Sequence, residues 1–89
     1  MRFEFDPAKN IVNIAKHGVD LALAGAFELE NAMIHVDDRR NYSETRYVAI
    51  GYLNGRLHIM VYTLKAKALR VIGLRKANKR EQRRYHVKA

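Results

Sequence analysis

The sequence predicts a single small α+β domain with a mainly antiparallel sheet. Its 89 residues suffice for one hydrophobic core but not for two. The C-terminal half alternates apolar and polar residues around Asn54-Gly55, the dipeptide most typical of tight β-hairpins. Helix cap signals occur towards both ends of the chain. We expect the order β-α-α-β-β-β-β-α, with the helices packed on one face of the sheet.

The first elements are a strand and a capped helix. Arg2–Phe5 alternates as a short strand does, and Asp6-Pro7 then offers an N-cap followed by proline at the first helical position. Gly18 supplies a left-handed end. Four apolar residues of this helix are spaced to form one stripe that would face the core: Ile11, Val12, Ile14 and Ala15.

A second helix and a first sheet strand follow. Asp20 is placed to cap a helix over Leu21–Leu29. Met33–Val36 is a short apolar run, followed by a polar loop over Asp37–Ser43.

Asn54-Gly55 predicts a hairpin between Arg46–Leu53 and Arg56–Leu64, in which positions whose numbers sum to 109 lie opposite one another. We expect the apolar face to be the core: Val48, Ile50, Tyr52, Leu57, Ile59 and Val61. The opposite face is mixed in character: Tyr47, Ala49, Gly51, Leu53, Arg56, His58, Met60 and Tyr62.

A further strand, Leu69–Leu74, follows the turn-like Ala66-Lys67. An unbroken two-residue turn there would place Leu74 on the apolar face and Arg75 across from His58. The chain then enters a helix over Lys79–Val87, because Asn78 and the glutamate three residues later form a capping box.

Charge divides the chain into two halves. Residues 1–45 carry five Lys or Arg against eight Asp or Glu, whereas residues 46–89 carry twelve against the single acid Glu81. The second half therefore has a net charge of +11, and such a surface attracts polyanions, nucleic acid most commonly. An anionic membrane, an acidic protein segment or a merely solvated surface is the alternative.

Several classes of activity lack the residues they require. The absence of cysteine excludes disulfides, thiolate nucleophiles and thiolate metal sites. The four histidines show no metal-binding spacing, the five glycines form no phosphate loop, and Ser43 is the only serine. We expect no cofactor and no metal. With no apolar run of membrane-spanning length, we expect a soluble cytoplasmic protein that does not contact a membrane.

Metal-free RNA cleavage can use the residues that remain. RNA supplies its own 2′-hydroxyl nucleophile, so the protein must supply a proton acceptor, a proton donor and cations for the phosphate. His58 or Glu44 could move the proton, and an arginine could bind the phosphate through two hydrogen bonds. The arginine candidates are Arg46, Arg56 and Arg75. Tyrosine rings are candidates to stack on bases: Tyr47, Tyr62 and Tyr85.

The closing segment places cations on one broad face of the last helix. We interpret this face as an RNA-backbone contact: Lys76, Lys79, Arg80, Arg83 and Arg84. The alternative is a solvated terminal helix, although so many like charges repel one another.

Short motifs occur along nearly the whole chain in a characteristic order. They are Phe5-Asp6-Pro7-Ala8-Lys9, Asn13, Lys16-His17-Gly18-Val19, Glu44-Thr45-Arg46, Ile50-Gly51, Gly55-Arg56-Leu57, Val61-Tyr62-Thr63, Arg70-Val71-Ile72, Arg75-Lys76-Ala77, Arg80-Glu81 and Arg84-Tyr85. Together these motifs resemble the BrnT toxins of bacterial type II toxin–antitoxin systems. The chain departs from the family pattern at Phe5, His58, Lys65, Gly73 and Leu74.

The resemblance implies a RelE-like fold and metal-independent RNA cleavage, on the ribosome or free of it, that arrests translation. It also implies neutralisation by a ribbon-helix-helix antitoxin of the BrnA type, through which alone the complex would bind operator DNA and repress its operon. The site residues that it suggests are Lys16, His17, Glu44, Arg46, Lys65, Arg75 and Lys76. Two alternatives stay open: a non-catalytic nucleic-acid or protein-binding module, and an inactive toxin that retains only antitoxin binding.

Overall fold

The computed structural model describes residues 2–88, which form one five-stranded sheet flanked by helices. The strands are β1 (Arg2–Phe5), β2 (Met33–Val36), β3 (Tyr47–Leu53), β4 (Arg56–Lys65) and β5 (Ala68–Lys76). The α-helices are α1 (Pro7–His17) and α2 (Lys79–Lys88). The strands lie in the order β1-β5-β4-β3-β2, with β1 parallel to β5 and every other pair antiparallel. The predicted α+β class and element order are confirmed.

Both predicted ends of α1 are present. The side chain of Asp6 accepts a hydrogen bond from the backbone N–H of Ala8 at 2.9 Å, and Pro7 is the first helical residue. Gly18 adopts φ 69° and donates its N–H to the carbonyl of Ile14 at 2.8 Å. A side chain disfavours this left-handed conformation, which explains the glycine.

The predicted apolar stripe of α1 is wrong, because the helix turns a different face inward. Ile11 and Val12 are 72% and 61% exposed, and Ile14 is also exposed. The buried residue is Asn13, whose amide donates to the carbonyl oxygens of Val19 and Leu74, each at 2.8 Å. Periodicity alone cannot anticipate a helix that docks through a polar side chain.

Asn13 takes the place of a neighbouring strand beside β5. Strand β1 ends at Phe5, opposite Val71, so β5 continues past it. There the carboxamide of Asn13 bonds both the carbonyl and, at 3.3 Å, the N–H of Leu74. Buried backbone polar groups are costly when unpaired, so this contact fixes α1 against the sheet.

The predicted second helix is shorter and of a different type. Asp20 caps it as predicted, through a 2.9 Å bond from the N–H of Ala22, but the helix is a 3₁₀ helix over Leu21–Ala26. Phe27 then leaves the helix to bridge Leu53 at the end of β3. A second, short 3₁₀ helix follows at Leu29–Asn31.

The predicted hairpin register is confirmed, but the main core lies on the other face. Ala49, Leu53, Met60 and Tyr62 pack with the segment around Leu21. The small residues of β3 admit this segment, since a Cβ on Gly51 would lie 3.0 Å from Phe27 Cζ.

The face predicted as core carries a second, smaller cluster. Tyr85 of α2 covers Ile50, Leu57 and Ile59, while Val48 stays half-buried. Helical segments therefore cover both faces of the sheet, and not one as predicted. Within residues 2–88, no helix has the length and apolar character needed to cross a membrane.

Replacing Asn13 by alanine should destabilise the fold by about 2–3 kcal/mol, because it leaves buried backbone groups of Leu74 and Val19 without partners. Urea unfolding measures the change. The control is Asn41→Ala in the exposed loop, expected to change stability by less than about 0.5 kcal/mol. Equal effects of the two substitutions would contradict a bridging role for Asn13.

Candidate active site

A cavity of about 410 Å³ opens over the half-covered face of the sheet. Its floor includes Val48 and Val61, and its walls come from α1, α2 and the segment that follows β2. The polar residues that line it are Asn13, His17, His35, Asp37, Asp38, Arg39, Arg75, Glu81 and Arg84. Three of these were predicted site residues: His17, Arg75 and Arg84.

A bulge in β5 brings Arg75 to this cavity. The predicted turn at Ala66-Lys67 is present, with Lys65 opposite Ala68, but the register shifts by one residue between Val61 and Tyr62 of β4. Arg75 consequently lies opposite Ile59 instead of His58. One extra residue in a strand reverses the faces of all that follow, so the predicted faces of Arg75 and Leu74 are corrected.

Glu81 holds Arg75 in place. The two terminal nitrogens of the guanidinium donate to the two carboxylate oxygens at 2.9 and 2.8 Å. Glu81 also accepts from the N–H of Asn78, whose side chain accepts in turn from the N–H of Glu81, so the predicted capping box of α2 is confirmed. The bond from Arg75 lowers the pKa of Glu81 although burial raises it, and the same bond raises the pKa of Arg75.

This geometry leaves Arg75 able to bind a further anion. The carboxylate engages one N–H of each terminal nitrogen, whereas a guanidinium has five N–H groups. Among the described residues, Nε has no hydrogen-bond partner. A fixed guanidinium with remaining donors suits a phosphate oxygen.

Two histidines reach the cavity from different elements. His17 ends α1, and burial, followed by the charges of Lys16 and Arg75, lowers the pKa of His17. A neutral imidazole is thereby favoured, which suits a proton acceptor. His35 lies in β2 opposite Val48. Sequence reasoning missed His35, because no residue between β2 and β3 signals their register.

The loop after β2 forms an ordered rim. Asp37 is buried and accepts two hydrogen bonds from the guanidinium of Arg39, at 2.8 and 2.9 Å, one from the backbone N–H of Arg39 at 3.3 Å, and one from the hydroxyl of Tyr42. These bonds, with that from Arg39 the strongest, hold the pKa of Asp37 far below its ordinary value. The rim was predicted only as a polar turn.

The structure does not bring Glu44, Arg46 and Lys65 to the cavity. Glu44 and Arg46 lie 3.4 Å apart, with the guanidinium 4.1 Å from the ring centroid of Tyr42. Glu44 and Lys65 line a separate cavity of about 180 Å³. A hydrogen bond from Ser43 is the main cause that lowers the pKa of Glu44.

Other predicted residues are buried or lie on the outer surface. His58 is 5% exposed, with Nδ1 2.7 Å from the backbone oxygen of Arg56. Tyr85 is buried and donates its hydroxyl to the carbonyl of Asn31. Tyr47 and Tyr62 stack on each other at 5.4 Å on the main-core face. The remaining predicted cations are exposed and lie outside the cavity: Lys16, Arg56, Lys76, Lys79, Arg80 and Arg83.

The lining can bind a phosphate and move protons. Arg75 and Arg84 supply positive charge, and His17 and His35 supply imidazole rings, the side chains that most often transfer protons in enzymes. Within residues 2–88, no three histidine or acidic side chains are clustered closely enough to hold a metal ion.

The pair of Glu81 and Arg75 predicts a pH-dependent contribution to stability. A lowered folded pKa means that this contribution is complete above the ordinary value of 4.5 and is lost as pH falls through the folded value. Glu81→Gln should therefore destabilise the protein by about 1–2 kcal/mol at neutral pH, with a smaller deficit in acid. Urea titrations from pH 7 to pH 3 measure it. The exposed Glu28→Gln is the control, and a deficit independent of pH would contradict the prediction.

Comparison with known proteins identifies the family of the chain. Residues 5–81 match the family described as the ribonuclease toxin BrnT of type II toxin–antitoxin systems. No curated protein shows significant similarity to the chain. The matched segment includes His17, His35 and Arg75, and Arg84 lies beyond it. The chain belongs to the BrnT family of ribonuclease toxins.

Proposed function

We propose that this ribonuclease toxin cleaves RNA internally and without a metal ion, in the cavity between α1, α2 and β2. The observation that carries the proposal is the convergence on one cavity of His17, His35, Arg84 and an Arg75 fixed by Glu81. These groups are the ones that attack by a 2′-hydroxyl requires: a base, an acid and cations.

In the proposed reaction the 2′-oxygen attacks the adjacent phosphorus while His17 takes the hydroxyl proton. The bond from phosphorus to the 5′-oxygen breaks, and protonated His35 gives that oxygen a proton. The products are a 2′,3′-cyclic phosphate and a free 5′-hydroxyl. Arg75 and Arg84 stabilise the charge that develops on the phosphate oxygens.

The remaining predicted residues divide according to exposure. The outer cations are assigned to the RNA backbone on either side of the cleaved bond: Lys16, Arg56, Lys76, Lys79, Arg80 and Arg83. In this proposal a second group of residues contacts the RNA farther from the cleaved bond: Glu44, Arg46 and Lys65. His58 and Tyr85 are buried and are not part of it.

The biological context follows from the family. A type II toxin acts with a protein antitoxin and an RNA substrate. We extend this to arrest of translation in the cytoplasm, to a RelE-like fold, and to neutralisation by a ribbon-helix-helix antitoxin that represses the operon together with the toxin.

Arg84→Ala should reduce RNA cleavage in EDTA about 10- to 100-fold, since Arg84 lines the cavity. Arg83→Ala is the matched control: it removes an exposed arginine of the same helix that does not line the cavity, and should retain activity within about threefold. The assay follows a labelled RNA at fixed ionic strength with purified protein. Cleavage that requires a divalent ion would refute metal independence, and salt-sensitive RNA binding without cleavage would favour the non-catalytic module.

The lowered pKa of His17 predicts the acid side of the rate profile. If neutral His17 is the base, the acid limb of the kcat/KM profile rises with pH through a value below the ordinary 6.5 of histidine. His17→Ala should lower the rate of cleavage about 10²–10⁴-fold, and its kcat/KM should no longer rise with pH in this range. His86→Ala, in the exposed part of α2, is the control and should keep the wild-type profile. An unchanged profile in His17→Ala would assign the base elsewhere.

A further inference from the structure

A second concave surface lies alongside α1. This surface, the α1 groove, has a volume of about 460 Å³ and runs between α1 and the bulge of β5. Its apolar lining includes Ala8, Val12 and Ile72, and its cations are Lys9 and Lys16. The groove is mainly apolar and basic, and the proposed reaction uses neither Lys9 nor the apolar residues of its lining.

One large apolar residue of α1 is exposed within the groove. Val12 is 61% exposed and lines the groove with Ala8 and Ile72, whereas the exposed Ile11 and Ile14 lie on other sides of the helix. An apolar side chain left exposed in a concave surface is typical of an interaction site. The surface is thus suited to a protein partner.

Charge selects the kind of partner. Lys9, Val12 and Lys16 follow at helical spacing, so two cations lie about 10 Å apart on either side of an apolar residue. Cations at the rim disfavour a second copy of the same basic surface and favour acidic groups. An amphipathic helix with acids seven residues apart matches both the apolar strip and the two lysines.

The groove and the catalytic cavity share part of their lining. Asn13, His17 and Gly73 line both. A segment in the groove would therefore contact the proposed base directly, without entering the cavity that holds the phosphate.

We propose that the α1 groove is the docking site of the antitoxin, which inserts an acidic amphipathic helix there and blocks His17. This inference rests on the proposed function, and it adds the surface and the chemistry of recognition. Neutralisation then acts on proton transfer, whereas the outer cations of α2 stay exposed.

The experiment measures binding of the purified small protein encoded beside this toxin, by calorimetry, and its inhibition of RNA cleavage. Val12→Glu should weaken binding at least 30-fold and escape inhibition, because it places an acid in the apolar strip. Lys9→Glu should weaken binding about tenfold and reduce its salt dependence. Val87→Glu is the matched control: Val87 is 84% exposed on α2, and its variant should bind as the wild type does.

The possible outcomes test the docking site separately from the ribonuclease activity. Unchanged affinity in Val12→Glu and Lys9→Glu overturns the groove while the ribonuclease assignment stands. Loss of affinity in Ile34→Glu alone places the partner on the exposed edge of β2 and also overturns it. If Val12→Glu also loses RNA cleavage, the affinity of Lys9→Glu for the antitoxin decides whether the groove is the docking site: weaker binding supports it, and unchanged binding overturns it. Wild-type protein that cleaves RNA but does not bind the neighbouring protein refutes both the antitoxin and the groove, and leaves the ribonuclease activity intact.

Discussion

The contact between Asn13 and Leu74 is the constraint on which the rest of the arrangement depends. Strand β5 extends beyond the end of its neighbour β1, so the backbone of β5 after Val71 needs another hydrogen-bond partner. The carboxamide of Asn13 is that partner. That contact orients α1, and so brings His17 to the proposed catalytic cavity while Val12 stays exposed. One buried polar side chain thereby positions two different surfaces of the molecule.

Glu81, the single acid of residues 46–89, fixes the position of two elements in the basic half of the chain. Glu81 begins α2 through the capping box and at the same time fixes Arg75. Because both bonds use the same carboxylate, α2 and the end of β5 have a fixed relative position. The cation nearest the proposed chemistry is held in advance, and the other cations of α2 remain available to a flexible polyanion.

The function that we propose uses an open sheet face as its site. The opposite face is closed by the chain around Leu21, which packs against the small residues of β3, and so provides the stability of the domain. The face that is left half-covered then combines an apolar floor with arginines and imidazoles at its edges. Separation of the core from the site lets substrate binding proceed without disturbance of the packing.

The sequence by itself determined whatever depends on neighbouring residues: the caps at Asp6, Gly18 and Asn78, the hairpin at Asn54-Gly55 and the imbalance of charge. It also carried enough family motif to suggest His17 and Arg75. Only the tertiary structure decided which faces are buried. The bulge of β5 depends on its pairing with β4, and α1 docks through a hydrogen bond between Asn13 and the distant backbone of Leu74. Periodicity records the pattern of a segment, and the partner that covers each face is set by contacts between segments far apart in the chain.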